Sequence, residues 1–319
     1  MRRKMISTVT GKIEKTELGQ TLMHEHIICS SSSMKKAYKD NWYNERDIVE
    51  MASQKLREAK ERHNIQTIVD GTPINLGRDI SVLKKVSIKS GVNILASTGF
   101  YYTEEPFMEA MSTESFFELL LYEWENGIEG SGIQPAMLKC ATSINGITET
   151  NEKILRATGL AAVVTKLPIF VHSIPKEEIG LRQLEILLDC GVDPQKVIMG
   201  HLGDSDDIKY IEKILNYGCY IGLDRFGVGK NIISRIECLL MLYKRGWTPK
   251  IILSHDYSVF IDYGFDIRNR KKSIVDGKQV NYGFLHENIW EELRKSGFAQ
   301  KDFHTIFVET PKKILDMEE

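Results

Sequence analysis

At 319 residues, with 42% hydrophobic and 27% charged side chains, the chain has the length and composition of a folded protein rather than a disordered or collagen-like one. Its 42 basic and 44 acidic side chains leave a formal charge of −2, so it carries no positive field for nucleic acid, and small-molecule partners are expected. Cys29, Cys140, Cys190, Cys219 and Cys238 lack any CxxC spacing, which argues against a disulfide framework or a thiolate zinc site and fits a reducing cytoplasm.

The N-terminal segment MRRKMISTVTGKIEK has charges but no signal-peptide core, and no later stretch approaches the roughly 20 apolar residues that span a bilayer. Neither export nor a membrane partner is expected. Apolar, β-branched runs then recur at 21–28, 67–70, 92–98, 135–140, 169–171, 197–200, 219–224 and 250–254, and each reads as a buried parallel strand. Amphipathic stretches at 45–62, 79–90, 113–126, 149–165, 176–190, 205–217 and 231–245 separate them as helices, with Gly91, Gly191 and Gly218 at helix stops. No nucleotide-binding glycine fingerprint follows the first strand, so the alternation predicts one (β/α)8 TIM barrel domain over 1–319 rather than an open doubly wound sheet. The long, charged stretch 256–281 has little helical character and is expected to cover the barrel mouth.

In such barrels chemistry sits at the C-terminal ends of the strands. His24 and His26, His172, His201, and His255 with Asp256 all fall there. Within MHEH the two histidines are two residues apart, so both face the lumen while Glu25 points outward. Five of these, His24, His26, His172, His201 and Asp256, exceed the ligands of one four-coordinate zinc site and imply two metals, which need a bridging anion. The fourth strand ends in a lysine, Lys139 in PAMLKCAT. An apolar flank lowers its pKa toward the neutral amine, which can take up carbon dioxide and become a bridging carbamate; the alternative is a lysine that snorkels to solvent.

The segments GQTLMHEH, MLKCATSING, FVHS, GHLGDSDD, YIGLDRFG and LSHDYSVFIDYG, in that order, resemble the strand-end motifs of the phosphotriesterase family of the amidohydrolase superfamily, and TPKKIL resembles its C-terminal helix. The resemblance implies a binuclear metal-dependent hydrolase, usually containing zinc and also working with manganese or cobalt. His24, His26 and Asp256 would hold one ion and His172 and His201 the other, with N6-carboxylated Lys139 and a hydroxide bridging. Asp256 would also act as general base, and His255 would be structural. Homodimers are common in this family and a homodimer is expected.

Paraoxon-type members have histidine after the GLD of strand seven, whereas the lactonase-like branch has arginine, as here with Arg225 before Phe226. Tyr101 in STGFYY is the expected donor to the developing oxyanion, the alternative being a packed aromatic. Arg268, Arg270, Lys271 and Lys272, with Lys244, form a basic group suited to phosphate oxygens, to which Tyr282 would add a contact; a solvated charge run is the plainer reading. The resulting expectation is opening of a phosphorylated furanose 1,4-lactone. An acyl-homoserine lactone, a phosphotriester or another ester is the alternative substrate, and a non-catalytic binding protein is the remote one.

Overall fold

The computed structural model describes residues 5–227, 232–263, 274–275 and 278–316. An N-terminal hairpin of β1 (Met5–Thr8) and β2 (Gly11–Glu14) precedes the parallel strands β3 (Gln20–Cys29), β4 (Ile65–Asp70), β5 (Asn93–Gly99), β6 (Met137–Ala141), β7 (Ile169–His172), β8 (Val197–Met199), β9 (Tyr220–Leu223), β10 (Ile251–Leu253) and β11 (Ser258–Ile261). The sheet order is β10-β9-β8-β7-β6-β5-β4-β3-β11. Its two edges are consecutive pieces of one strand position. His26 N donates to Tyr257 O at 2.9 Å and Asp256 N to His24 O at 3.3 Å, which closes the sheet as a (β/α)8 barrel.

The helices between the strands follow the amphipathic segments: α2 (Glu45–His63), α3 (Ile80–Ser90), α4 (Thr113–Asn126), α5 (Glu149–Thr165), α6 (Ile179–Asp189), α7 (Ile208–Asn216) and α8 (Ile232–Lys244), with a short α1 (Ser32–Tyr38) after β3. Asn44, Asp79, Ser112, Thr148 and Asp207 accept hydrogen bonds from first-turn amides, so α2, α3, α4, α5 and α7 begin at a side-chain cap. The hairpin, β11 and the C-terminal helices α9 (Trp290–Lys295), α10 (Gln300–His304) and α11 (Thr310–Ile314) complete the described chain.

Strand alternation sorts the core into two shells. Ile94, Leu138, Val171, Ile221 and Leu253 face the helices in the outer shell. Met23, Val69, Leu95, Met137, Phe170, Ile198, Tyr220 and Ile252 fill the lumen, sealed below by Ile6, Leu18, Ile314 and Leu315 from the two ends of the chain. Two residues beyond Met137, Phe170 and Ile252 the lumen-facing residues become Lys139, His172 and Ser254. A register shift between Leu22 and Glu25 inserts an extra residue in β3, so that Met23 joins the apolar floor and His24 the polar mouth.

Candidate active site

The mouth gathers all six sequence-predicted ligands. His24, Lys139 and His201 are at most 1% exposed, and His26 and His172 are also buried. Lys139 Nζ lies 3.1 Å from His24 Nε2, His172 Nδ1 lies 2.8 Å from His201 Nε2, and Asp256 Oδ1 lies 3.1 Å from His26 Nε2 and 3.8 Å from His24 Nε2. Donor atoms of His24, His201 and Asp256 all fall within 4.8 Å of one another.

The outward-facing ring nitrogens explain this convergence. His24 Nδ1 donates to Asp224 Oδ2 at 2.6 Å and His201 Nδ1 to Asp224 Oδ1 at 3.1 Å, while His26 Nδ1 donates to Thr72 Oγ1 at 2.8 Å. Each outer bond fixes the tautomer that leaves the Nε2 lone pair aimed inward. A lone pair facing a carboxylate oxygen, or a second imidazole nitrogen, is repulsive unless a proton or a cation lies between. Four imidazoles, three of them oriented by an outer partner, together with one carboxylate and a buried amine are therefore a donor set that fits two divalent cations.

Electrostatics agree with that fit at three of the four imidazoles; the fourth, His26, is pushed well up against its own burial by Cys29 and Asp256. Burial, helped by the Lys139 charge, pushes His24 down to about 3, and burial followed by its neighbour His201 drives His172 well below its ordinary range. Burial, then Arg225, lowers His201 as well, so these three rings are neutral and ligand-ready. Burial also brings the Lys139 amine down to about 8, where a sizeable fraction is unprotonated. Burial opposes ionisation of Asp256, yet the hydrogen bond with His26 and the Arg225 charge hold it well below the usual carboxylate range. Asp224 is held low in the same way, by His201 and His24 against its own burial.

Two ligand residues adopt left-handed backbone, His201 at φ 62° and Asp256 at φ 54°, a conformation that non-glycine residues enter at a cost. Each is held there by a buried carboxylate. Asp224 Oδ1 accepts from His201 N at 2.8 Å; Glu25 accepts from His255 N at 2.9 Å and Tyr257 N at 3.1 Å, on either side of Asp256. His255 is structural as expected, bonded through Nδ1 to Glu25 at 2.7 Å and through Nε2 to Leu285 N at 3.1 Å. Gly71 is required beside the ligands, because a Cβ there would lie 2.6 Å from His24 Cδ2.

At the rim, Arg225 donates through Nε to Asp256 Oδ2 at 3.0 Å and through Nη1 to Asp204 Oδ2 at 2.8 Å. Arg235 braces this arrangement from α8, donating to Asp204 Oδ1 and to Arg225 O, both at 2.5 Å. Tyr101 packs edge-on against His172 with ring centres 5.1 Å apart, and burial followed by the neighbouring Tyr102 keeps its phenol protonated.

A model of the phosphotriesterase family matches residues 4–315. The chain belongs to the phosphotriesterase family. Members of this family are binuclear metal hydrolases, and this chain is a hydrolase. It is 36% identical over 306 residues to a protein of Saccharolobus solfataricus named aryldialkylphosphatase, covering 95% of this chain and 96% of that one. It is also 33% identical to a phosphotriesterase homology protein of Mycobacterium tuberculosis, over 98% of this chain and 97% of its relative. The human N-acetyltaurine hydrolase is 24% identical over 97% of each chain.

Two members of the predicted phosphate group, Lys244 and Tyr282, do not face the mouth. Lys244 ends α8, which descends from the mouth toward the start of β10, so it lies at the opposite end of the barrel from the ligands. Tyr282 is fully buried and its hydroxyl donates to His26 O at 2.9 Å, which makes it a brace for β3 rather than a substrate contact. Arg268, Arg270, Lys271 and Lys272 lie outside the described residues, as does much of the predicted lid. Sequence reasoning missed Asp224, Glu25, Thr72 and Asp204 as site residues. Asp224 had a readable signal: it is the acidic residue at the end of the seventh strand, where a barrel enzyme places functional groups. Among the described residues, no helix is long and apolar enough to cross a membrane.

Proposed function

We propose that this hydrolase opens the ring of a small lactone, with a phosphorylated furanose 1,4-lactone as the preferred substrate. The observation that carries the lactone reading is Arg225, which takes the place after Asp224 where a paraoxon-type member has histidine and pairs with the ligand carboxylate Asp256 at 3.0 Å.

Two divalent cations held by His24, His26, Lys139, His172, His201 and Asp256, with Lys139 as its carbamate, would supply Lewis acidity and a water nucleophile at neutral pH, zinc being the first candidate. The chain's own groups do the rest. Arg225, permanently charged, keeps Asp256 ionised and leaves Oδ1 as the atom that takes the water proton and returns it to the ring oxygen. Tyr101, kept protonated, donates to the carbonyl oxygen as charge builds on it. The ring oxygen stays tethered to the acyl product, so the site needs no separate pocket for a leaving group.

The phosphate preference is supported by sequence. Arg268 and Arg270 follow Tyr263 by five and seven positions, and Tyr263 stands 5.6 Å from Tyr101 at the mouth. Charged loops of this kind suit a phosphate better than an acyl chain. The test is a pH-indicator assay of the metal-loaded protein on 5-phosphorylated furanose lactones, the unphosphorylated lactones and acyl-homoserine lactones. Preference for the first supports the reading; preference for acyl lactones refutes the phosphate, and inactivity on all three refutes the lactone. The aryldialkylphosphatase relative favours a second reading, triester hydrolysis by the same groups, and an aryl dialkyl phosphate belongs in the same assay.

A further inference from the structure

The wall that carries Tyr101 is not held by sheet or helix. Residues 101–103 leave β5 as an irregular loop, yet their backbone groups are taken up by one side chain, Asn75, from the 3-10 turn Ile74–Leu76 that follows β4. Asn75 Oδ1 accepts from Tyr101 N at 2.6 Å; Asn75 Nδ2 donates to Thr103 O at 2.7 Å and to Tyr101 O at 3.3 Å. Both main-chain polar groups of Tyr101 are thus bound by this amide.

The turn that presents Asn75 is anchored on β3. Ser30 N donates to Leu76 O at 2.9 Å, and Gly77, at φ 80°, approaches so closely that a Cβ would lie 2.0 Å from Ser30 O. On the far side Thr103 Oγ1 is hydrogen-bonded to Tyr263 OH. The adjacent Asp262 accepts from Ser30 Oγ and Trp42 Nε1, both at 2.6 Å, and from Ser31 N at 3.1 Å. The contacts form a closed circuit, Ser30 to Leu76 and Asn75, then Thr103, Tyr263 and Asp262, and back to Ser30. Three rings pack together along it, Tyr101 lying 4.1 Å from Tyr102 and 5.6 Å from Tyr263.

We propose that Asn75 is the positioning residue for Tyr101, fixing through the loop backbone where the Tyr101 hydroxyl meets the substrate carbonyl. The proposal rests on the reading of Tyr101 as that donor. A donor has to be placed within about 0.5 Å of its working geometry, and a loop with no regular hydrogen bonds does not ensure that by itself. Among the described residues, the hydrogen bonds of the Asn75 amide go to loop backbone and to none of the ligand residues.

The experiment is a double-mutant cycle of Asn75→Ala with Tyr101→Phe, run on whichever lactone or aryl triester is turned over, together with near-ultraviolet circular dichroism of the free proteins. Asn75→Ala is expected to lower kcat roughly tenfold with KM little changed, the mark of an interaction made in the transition state. In the Tyr101→Phe background the same substitution is expected to cost less than about twofold, since the group it positions is gone. Without substrate, Asn75→Ala should weaken the tyrosine dichroism of the packed rings. Asn75→Asp, which keeps the acceptor for Tyr101 N and loses both donations, should fall between wild type and alanine. An equal fold-loss in both backgrounds, or unchanged kcat with unchanged dichroism, overturns the proposal. If Tyr101→Phe alone retains wild-type kcat, the donor role of Tyr101 fails, and the dichroism alone decides whether Asn75 holds the wall.

Discussion

The floor and the mouth of the barrel lumen are made by the same strands one or two pleats apart. On β6 the step is from Met137 to Lys139 and on β7 from Phe170 to His172; across β9 it runs from Tyr220 through Gly222 to Asp224. Below, the lumen is an apolar cluster whose burial contributes about 1.5–3 kcal/mol per large side chain. Above, it holds buried imidazoles, carboxylates and an amine, groups that destabilise a fold unless paired. Floor residues are therefore replaceable by others of like volume, whereas mouth residues are fixed by charge and by the direction of a lone pair.

That contrast is broken most severely at Lys139. Lys139→Ala should abolish tight retention of the metal pair and reduce turnover at least about a hundredfold, the upper range that even an outer-sphere substitution reaches. A short carboxylic acid in solution should restore part of both, and full activity without rescue would refute the bridging role. The floor counterpart, Met137→Ala, should cost about 2–5 kcal/mol of stability in denaturant titration and leave metal content per folded chain unchanged.

Asp224→Asn tests whether one carboxylate sets both ring orientations. Its two oxygens hold His24 and His201, so metal affinity should fall roughly 10–100-fold in competition with a chelator while the fold persists. The smallest effect is on acid stability. Burial lowers His286, beside the start of β3, from 6.5 to about 3. Only the unfolded chain binds that proton between these values, so stability present above pH 6.5 is lost as pH falls. His286→Gln should remove about 2 kcal/mol of the metal-free protein's loss between pH 7.5 and 5, read from denaturation midpoints.

Most of the fold was legible because parallel strands buried on both faces are written as short apolar runs, and the ligands sit where those runs end. What escaped the sequence was mostly non-local. Asp224 reads as a branch marker until the closed barrel brings His24, two hundred positions away in sequence, against its second oxygen. Tyr282 looks like a loop aromatic until the chain folds it under His26. The run 258–261 reads as part of a lid because the polar residues 254–256 interrupt it, yet it pairs with β3 as the continuation of the eighth strand. Lys244 was a different kind of error: chain order alone says that the end of a barrel helix lies away from the mouth.

The most direct measurement is the metal content of the purified, exhaustively dialysed protein by elemental mass spectrometry, taken alongside hydrolysis during stepwise reloading with zinc. Two ions per chain are expected, with activity rising as the second is bound. Full hydrolytic activity at one ion per chain or none would contradict a binuclear site.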